Sequence, residues 1–128
     1  MKLERLDHFG VEVADLARAE HFYTEVLGLA VAMRLGDQVL LDCGGQNLAL
    51  FEAPRMAALS ASERRSRIAN PLGQAHHAFR VSRGDFVTAR ERFAAAGVES
   101  ATPIDWGDHD CIYFLDPDGN LLEIVSYR

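Results

Sequence analysis

HFGVEVADLARAEHFYTEVLGL (residues 8–29) returns, in altered lettering, as HHAFRVSRGDFVTARERFAAAGV (residues 76–98). Each copy opens with His and runs on as a short strand. It then passes an Asp-containing turn, continues as an amphipathic helix and stops at Gly. Gly28 and Gly97 suit the left-handed residue that closes a helix. The offset is 68 residues from His8 to His76 and 69 from Gly28 to Gly97, so one loop residue has been inserted between the copies.

The repeat extends beyond the helices. LLDCGGQNLALF (40–51) and FLDPDGNLLEIV (114–125) share the plan of strand, Asp, Gly-containing turn and strand. Asp116-Pro117-Asp118-Gly119 offers Pro and Gly where a tight turn needs them. With a further strand expected within 29–37 and again within 98–106, each half reads β-α-β-β-β, an α+β fold of two tandem modules. The modules are expected at 4–54 and 74–127 of a single domain. Between them the polar, basic segment 55–73 is partly helical by composition and breaks at Asn70-Pro71.

The chain has 128 residues, 48% of them hydrophobic and 25% charged, with a net charge of -6. That is enough to bury a core without staples. The acidic balance argues against nucleic acid or an anionic membrane as partner. The N-terminus MKLERLDHF lacks the apolar core of a signal peptide, and no apolar run is long enough to span a bilayer. The expected location is cytoplasmic. Cys43 and Cys111 show no metal-knuckle spacing and lie in apolar strands, which points to free thiols.

Strand parity separates the adjacent histidines. Phe9, Val11 and Val13 share one face of the first strand, and His8, Gly10 and Glu12 the other. In the second copy His77 falls with Phe79 and Val81, under the helix that must cover the apolar face. His76 falls with Ala78 and Arg80, in the position of His8. His77 is therefore expected to pack and His76 to be available for chemistry. Four residues past the turn glycines stand Ala49 and Glu123, also equivalent. Glu123 lies among Leu121, Leu122, Ile124 and Val125, where an unpaired carboxylate is costly. If the halves pair about a pseudo-two-fold axis, His8, Ala49, His76 and Glu123 converge. Two imidazoles and one carboxylate make an open site for a divalent ion such as Fe(II) or Mn(II). The alternative is a polar cup in which both histidines hydrogen-bond to Glu123 with no metal.

LDHFGVEVADL with FYTEVLGL, then AHHAFRV, then FLDPDGNLLEI resemble, as a set, the vicinal oxygen chelate superfamily. Its members include glyoxalase I, fosfomycin-resistance enzymes, type I extradiol dioxygenases, methylmalonyl-CoA epimerase and bleomycin-resistance binding proteins. The resemblance covers nearly all of residues 4–127. It implies a curved, cup-like mixed sheet with helices outside. It also implies one divalent ion per site (Fe, Mn, Ni or Zn), held by His8, His76 and Glu123. The family's optional fourth ligand, a glutamate in glyoxalase I, falls on or beside Ala49. Glu52, three residues on, is turned away by parity. The ligand pattern is closest to the fosfomycin-resistance enzymes. Yet VESATPIDWGDHDC (98–111), which matches their phosphonate-gripping region, contains no Lys or Arg.

Other residues of cup parity carry candidate roles. Tyr113 is placed to donate a hydrogen bond to a metal-bound oxygen, with Cys111 as a lining residue. Glu12 and Arg80, at equivalent positions, are expected to form an ion pair across the axis. Failing that, Glu12 acts as a base and Arg80 receives a substrate carboxylate or phosphonate. Phe51 and Trp106 are candidate apolar walls, and His109 is either an acid-base group or simply solvated. The leading expectation is a metal-dependent enzyme that chelates a small oxygen-rich substrate for Lewis-acid isomerase, lyase or transferase chemistry. The alternatives are an Fe(II) extradiol-type dioxygenase, a metal-free drug- or metabolite-binding protein, and a regulatory module without activity. The resemblance also implies a homodimer, with modules paired within one chain or exchanged between two.

Overall fold

The structure, a computed structural model, describes residues 1–53 and 56–128. Pro54 and Arg55, where the sequence puts the boundary between first module and linker, lie outside the described residues. The chain forms two compact units, Met1–Ala57 and Ala58–Arg128.

In the first unit β1 (His8–Val13) leads into α1 (Leu16–His21), followed by β2 (Ala30–Leu35), β3 (Gln38–Cys43) and β4 (Gln46–Glu52). Asp15 caps α1, its carboxylate accepting from the Arg18 N–H at 2.8 Å. Over Phe22–Val26 the helix widens, with Leu27 N–H donating to the Phe22 carbonyl five residues back. Gly28 then closes it with φ of 79°. The strand order is β1-β4-β3-β2, with β1 and β4 parallel and the other pairs antiparallel.

The second unit repeats the plan. α2 (Ala61–Ala69) precedes β5 (His77–Arg80), α3 (Arg83–Ala95), β6 (Ile104–Asp105), β7 (His109–Leu115) and β8 (Leu121–Tyr127). Ser82 caps α3, and Gly97 closes it with φ of 69°. The order β5-β8-β7-β6 again puts first and last strands in parallel. Two mixed four-stranded sheets with three helices bear out the α+β fold of repeated β-α-β-β-β units. The differences are local. β6 has only two residues, and β5 starts at His77, leaving His76 just ahead of the strand.

Register makes the repeat equivalences concrete. Gly10 pairs with Ala49 and Leu40 with Ala49, while Ala78 pairs with Glu123 and Tyr113 with Glu123. Ala49 and Glu123 thus occupy the same place in their sheets.

The segment 55–73 has a structural role the sequence did not disclose. Its helix α2 starts with a capping box between Ser60 and Glu63. From it Arg64 donates to the carbonyls of Asp116 and Pro117, both at 3.1 Å, and Arg67 to that of Gly119 at 2.8 Å. Inside the turn, Asp116 accepts from the Asp118 and Asn120 backbone N–H groups, both at 2.9 Å. Gly119 has φ of 85°, which disfavours any side chain, and a Cβ there would also displace the Leu59 methyl 2.4 Å away. The turn that launches β8 is therefore held from within and from α2.

Both faces of the β7–β8 ladder are buried over Asp110–Leu115 and Leu121–Ile124. On one face Phe114 stacks on Phe93 of α3, ring centroids 4.6 Å apart. On the other, Cys111, Tyr113, Leu115 and Leu121 pack with Ile68 of α2, Ala101, Ile104 and Val125.

Phe93→Ala removes a buried ring from that stack and is expected to cost about 3–5 kcal/mol in chemical denaturation. Val87→Ala, on the exposed side of the same helix, is expected to change stability by less than about 0.5 kcal/mol.

Candidate metal centre

Glu123 stands in the middle of β8, 7% exposed, with Ala78 beside it on β5 and Tyr113 on β7. His76 lies two residues before Ala78 and so shares its face. The structure brings His76 and Glu123 together: Nε2 is 3.1 Å from the carboxylate oxygen Oε2. The other ring nitrogen, Nδ1, lies 2.8 Å from the Gln74 carbonyl. A carbonyl only accepts, so Nδ1 carries a proton and Nε2 is the atom presented to Glu123.

Tyr113 completes this corner, its ring edge-on to His76 with centroids 5.1 Å apart. Burial, and then the charge of Glu123, raise the Tyr113 phenol above its usual range. Burial first, and then the neighbouring Glu123, push the Cys111 thiol up to about 11, so it stays a protonated lining group. The Trp106 indole N–H donates to Cys111 Sγ at 3.3 Å, which places Trp106 as a wall of the same face. His77 is half-buried on the opposite side of β5, where burial lowers its ring's pKa.

In the first unit His8, Gly10 and Glu12 lie on the open face of β1, opposite buried Val11 and Val13. His8 Nδ1 is 2.9 Å from Asp7 Oδ1, and this bond is the chief cause that holds the Asp7 carboxyl below its usual range. Phe51 lies over Gly10, where a Cβ would come within 3.0 Å of its ring. Phe51 is thus a wall of the first unit's face, as Trp106 is of the second's. Glu52 lies a parity step away from Ala49. Within each unit, among the described residues, no three His, Cys, Asp or Glu side chains gather as a ligand set. His76 and Glu123 form a pair in the second unit, and His8 stands in the first.

Arg80 holds its guanidinium over the Tyr127 ring, 5.2 Å from the centroid. His109 is not merely solvated. Its ring lies between those of Trp106 and Tyr127, and its Nδ1 is 2.6 Å from Asp108. Sequence reasoning missed what supports this corner. Arg128 reaches Asp105 at 3.0 Å and Asp110 at 2.8 Å and donates to the Gly107 carbonyl, while Arg83 also pairs with Asp110. Asp110, 7% exposed, is thereby neutralised from two sides. Nothing local in a C-terminal Arg or an Asp-rich loop announces such a network.

The sequence matches the model of the Glyoxalase/Bleomycin resistance protein/Dioxygenase superfamily over residues 5–124. It is 31% identical over 123 residues to the glutathione transferase FosA of Serratia marcescens, covering 95% of this chain and 80% of that protein. It is 29% identical over 123 residues to Metapyrocatechase 2 of Cupriavidus necator, covering 93% of this chain but 32% of that protein. The chain thus spans about a third of the one relative and four-fifths of the other. The fold is that of the fosfomycin resistance protein FosX from Listeria monocytogenes, with a TM-score of 0.77 at 20% identity over 99% of this chain and 96% of that one. A lactoylglutathione lyase from Agrobacterium tumefaciens has a TM-score of 0.73 at 26% identity, covering 98% of this chain and 96% of that one. With a twice-repeated β-α-β-β-β unit and a family match across nearly its whole length, the chain belongs to the glyoxalase/bleomycin resistance/dioxygenase superfamily.

Proposed function

We propose that this chain is a divalent-metal-dependent enzyme acting on a small, oxygen-rich molecule, with His8, His76 and Glu123 as its ligand set. The observation that supports this is the orientation of the His76 ring. Gln74 occupies Nδ1, so a neutral imidazole sets the Nε2 lone pair against a carboxylate oxygen 3.1 Å away. Only a positive species, a proton or a metal cation, relieves that contact. His8 is anchored in the same way, Nδ1 toward Asp7, which leaves its Nε2 for a ligand. Metal-binding imidazoles are oriented by this kind of bond to a carbonyl or carboxylate.

Two imidazoles and a carboxylate suit Fe(II), Mn(II), Ni(II) or Zn(II). When bound, such an ion would polarise a chelated oxygen and stabilise charge developing there. Tyr113, a phenol that burial and the nearby carboxylate make still harder to ionise, serves as a hydrogen-bond donor to that oxygen and not as a base. Glu12 shares the open face of β1 with His8 and is the candidate base. The His8 that completes the set comes from the same chain or from a second copy. An Fe(II) dioxygenase of the extradiol type is the second reading, supported by the likeness to Metapyrocatechase 2.

Elemental analysis of untagged protein is expected to find about one divalent ion per chain. His8→Ala, His76→Ala and Glu123→Gln should lose it, and His77→Ala should keep it. Protein that stays metal-free after reconstitution overturns the proposal in favour of a binding protein, and the identity of a retained ion separates iron-based oxidation from Lewis-acid chemistry. Asp7→Asn, which weakens the anchor of His8 and removes a long, exposed contact to Arg5, is expected to lower metal affinity about 10- to 100-fold. Tyr113→Phe is expected to retain metal and lower kcat about 100-fold, read in single-turnover assays once a substrate is found. Mixing His8→Ala with Glu123→Gln protein under exchange conditions should restore about a quarter of wild-type metal if sites form between two copies, and none if they form within one chain.

A further inference from the structure

Beyond Cys111, the face of the second unit that carries Glu123 ends in an aromatic ledge. Trp106 and His109 lie near-parallel, at 19° with centroids 6.3 Å apart, and His109 and Tyr127 follow at 33° and 5.0 Å. Trp106 is 50% exposed and Tyr127 48%. The ledge is rigidly held. The Trp106 N–H donates to the His109 carbonyl at 2.9 Å, Asp105 accepts from the Gly107 N–H at 2.7 Å, and Arg128 ties Asp105 and Asp110 to the C-terminus. Half-exposed aromatic rings backed by an ion network are pre-organised for a flat apolar ligand.

Within the second unit, the described charges at the ledge pair off except one. Asp105 and Asp110 are paired with Arg128 and Arg83, and Asp108 with His109. Arg80 lies over Tyr127, and within the second unit no described carboxylate pairs with it. A guanidinium fixed over an exposed ring is a seat for an anion beside an aromatic.

From these observations we infer that the substrate is an aromatic carboxylate: its ring lies across the exposed edges of Trp106 and Tyr127, with His109 held between them, and its carboxylate meets Arg80. Val125, opposite Cys111, and Tyr127 lie two and four residues along β8 from Glu123. At about 3.3 Å per residue the ledge lies roughly 7–13 Å from the His76–Glu123 pair. The chelated oxygens and the carboxylate therefore belong to opposite ends of one elongated molecule. This inference rests on the metal-site reading for what lies at the other end, but the ledge itself can be tested without metal.

Trp106 is the chain's single tryptophan, so its emission reports on the ledge alone. Metal-free protein is titrated with 3-phenylpropanoate, 3-cyclohexylpropanoate and 3-phenylpropan-1-ol, following Trp106 emission and, in parallel, heat of binding. The expected result is saturable binding of phenylpropanoate, about tenfold tighter than either analogue. Arg80→Gln should reduce phenylpropanoate to the level of the alcohol while leaving the alcohol unchanged, and Tyr127→Ala should weaken both aromatic probes. Absence of saturable binding by both methods, equal binding of the cyclohexyl acid, or an unchanged affinity in Arg80→Gln overturns the inference. Because the titration uses metal-free protein, its failure leaves the metal content untouched, and failure of metal retention leaves the titration standing.

Discussion

A parallel ladder cannot be closed by a tight turn, and in each unit the first strand pairs in parallel with the last. The chain must therefore leave β1 or β5, cross one face of the sheet as a helix, and return through two antiparallel strands before it can complete the pair. That constraint assigns the faces. The helix takes the side of Val11 and Val13, or of His77 and Phe79. The opposite side is left for His8 in one unit and His76 in the other. It also puts Gly10 opposite Ala49 and Ala78 opposite Glu123, so the last strand delivers its fourth residue after the turn to the same face as the histidine.

Such placement has a cost, and much of the second unit offsets it. Glu123 is nearly buried between Leu122 and Ile124, where a lone carboxylate would be destabilising by several kcal/mol. The turn ahead of it is correspondingly over-determined. Asp116 satisfies the turn's own N–H groups, and Arg64 and Arg67 bind its carbonyls from α2. Rigid support of this kind keeps a charged side chain aimed at its partner instead of at solvent.

The two units have diverged in what they offer on equivalent faces. Besides His8 and Glu12, the first carries small or apolar groups, with Gly10 making room for Phe51 and Ala49 standing where Glu123 stands in the second. The second has gathered Glu123, Tyr113, Cys111 and the ledge of Trp106, His109 and Tyr127. On the equivalent faces, the first unit carries His8 and the wall of Phe51, and the second carries the His76–Glu123 contact and the aromatic surface beside it.

The sequence by itself determined the repeat, the strand parities and the helix ends. These follow from periods of 2.0 and 3.6 residues and from the conformational needs of Gly28 and Gly97, all of which act over a few residues. For the same reason it separated His76 from His77 and matched Ala49 with Glu123. What only the tertiary structure decided depends on residues far apart in the chain. The His76 ring is oriented by a backbone carbonyl that no side-chain pattern reveals. α2 binds a turn some fifty residues downstream through side-chain-to-carbonyl bonds that leave no periodic trace. Trp106, His109, Tyr127, Arg80 and Arg128 become neighbours only when the β5–β8–β7–β6 register is set, because lateral pairing between strands, and not spacing along one strand, brings their side chains together.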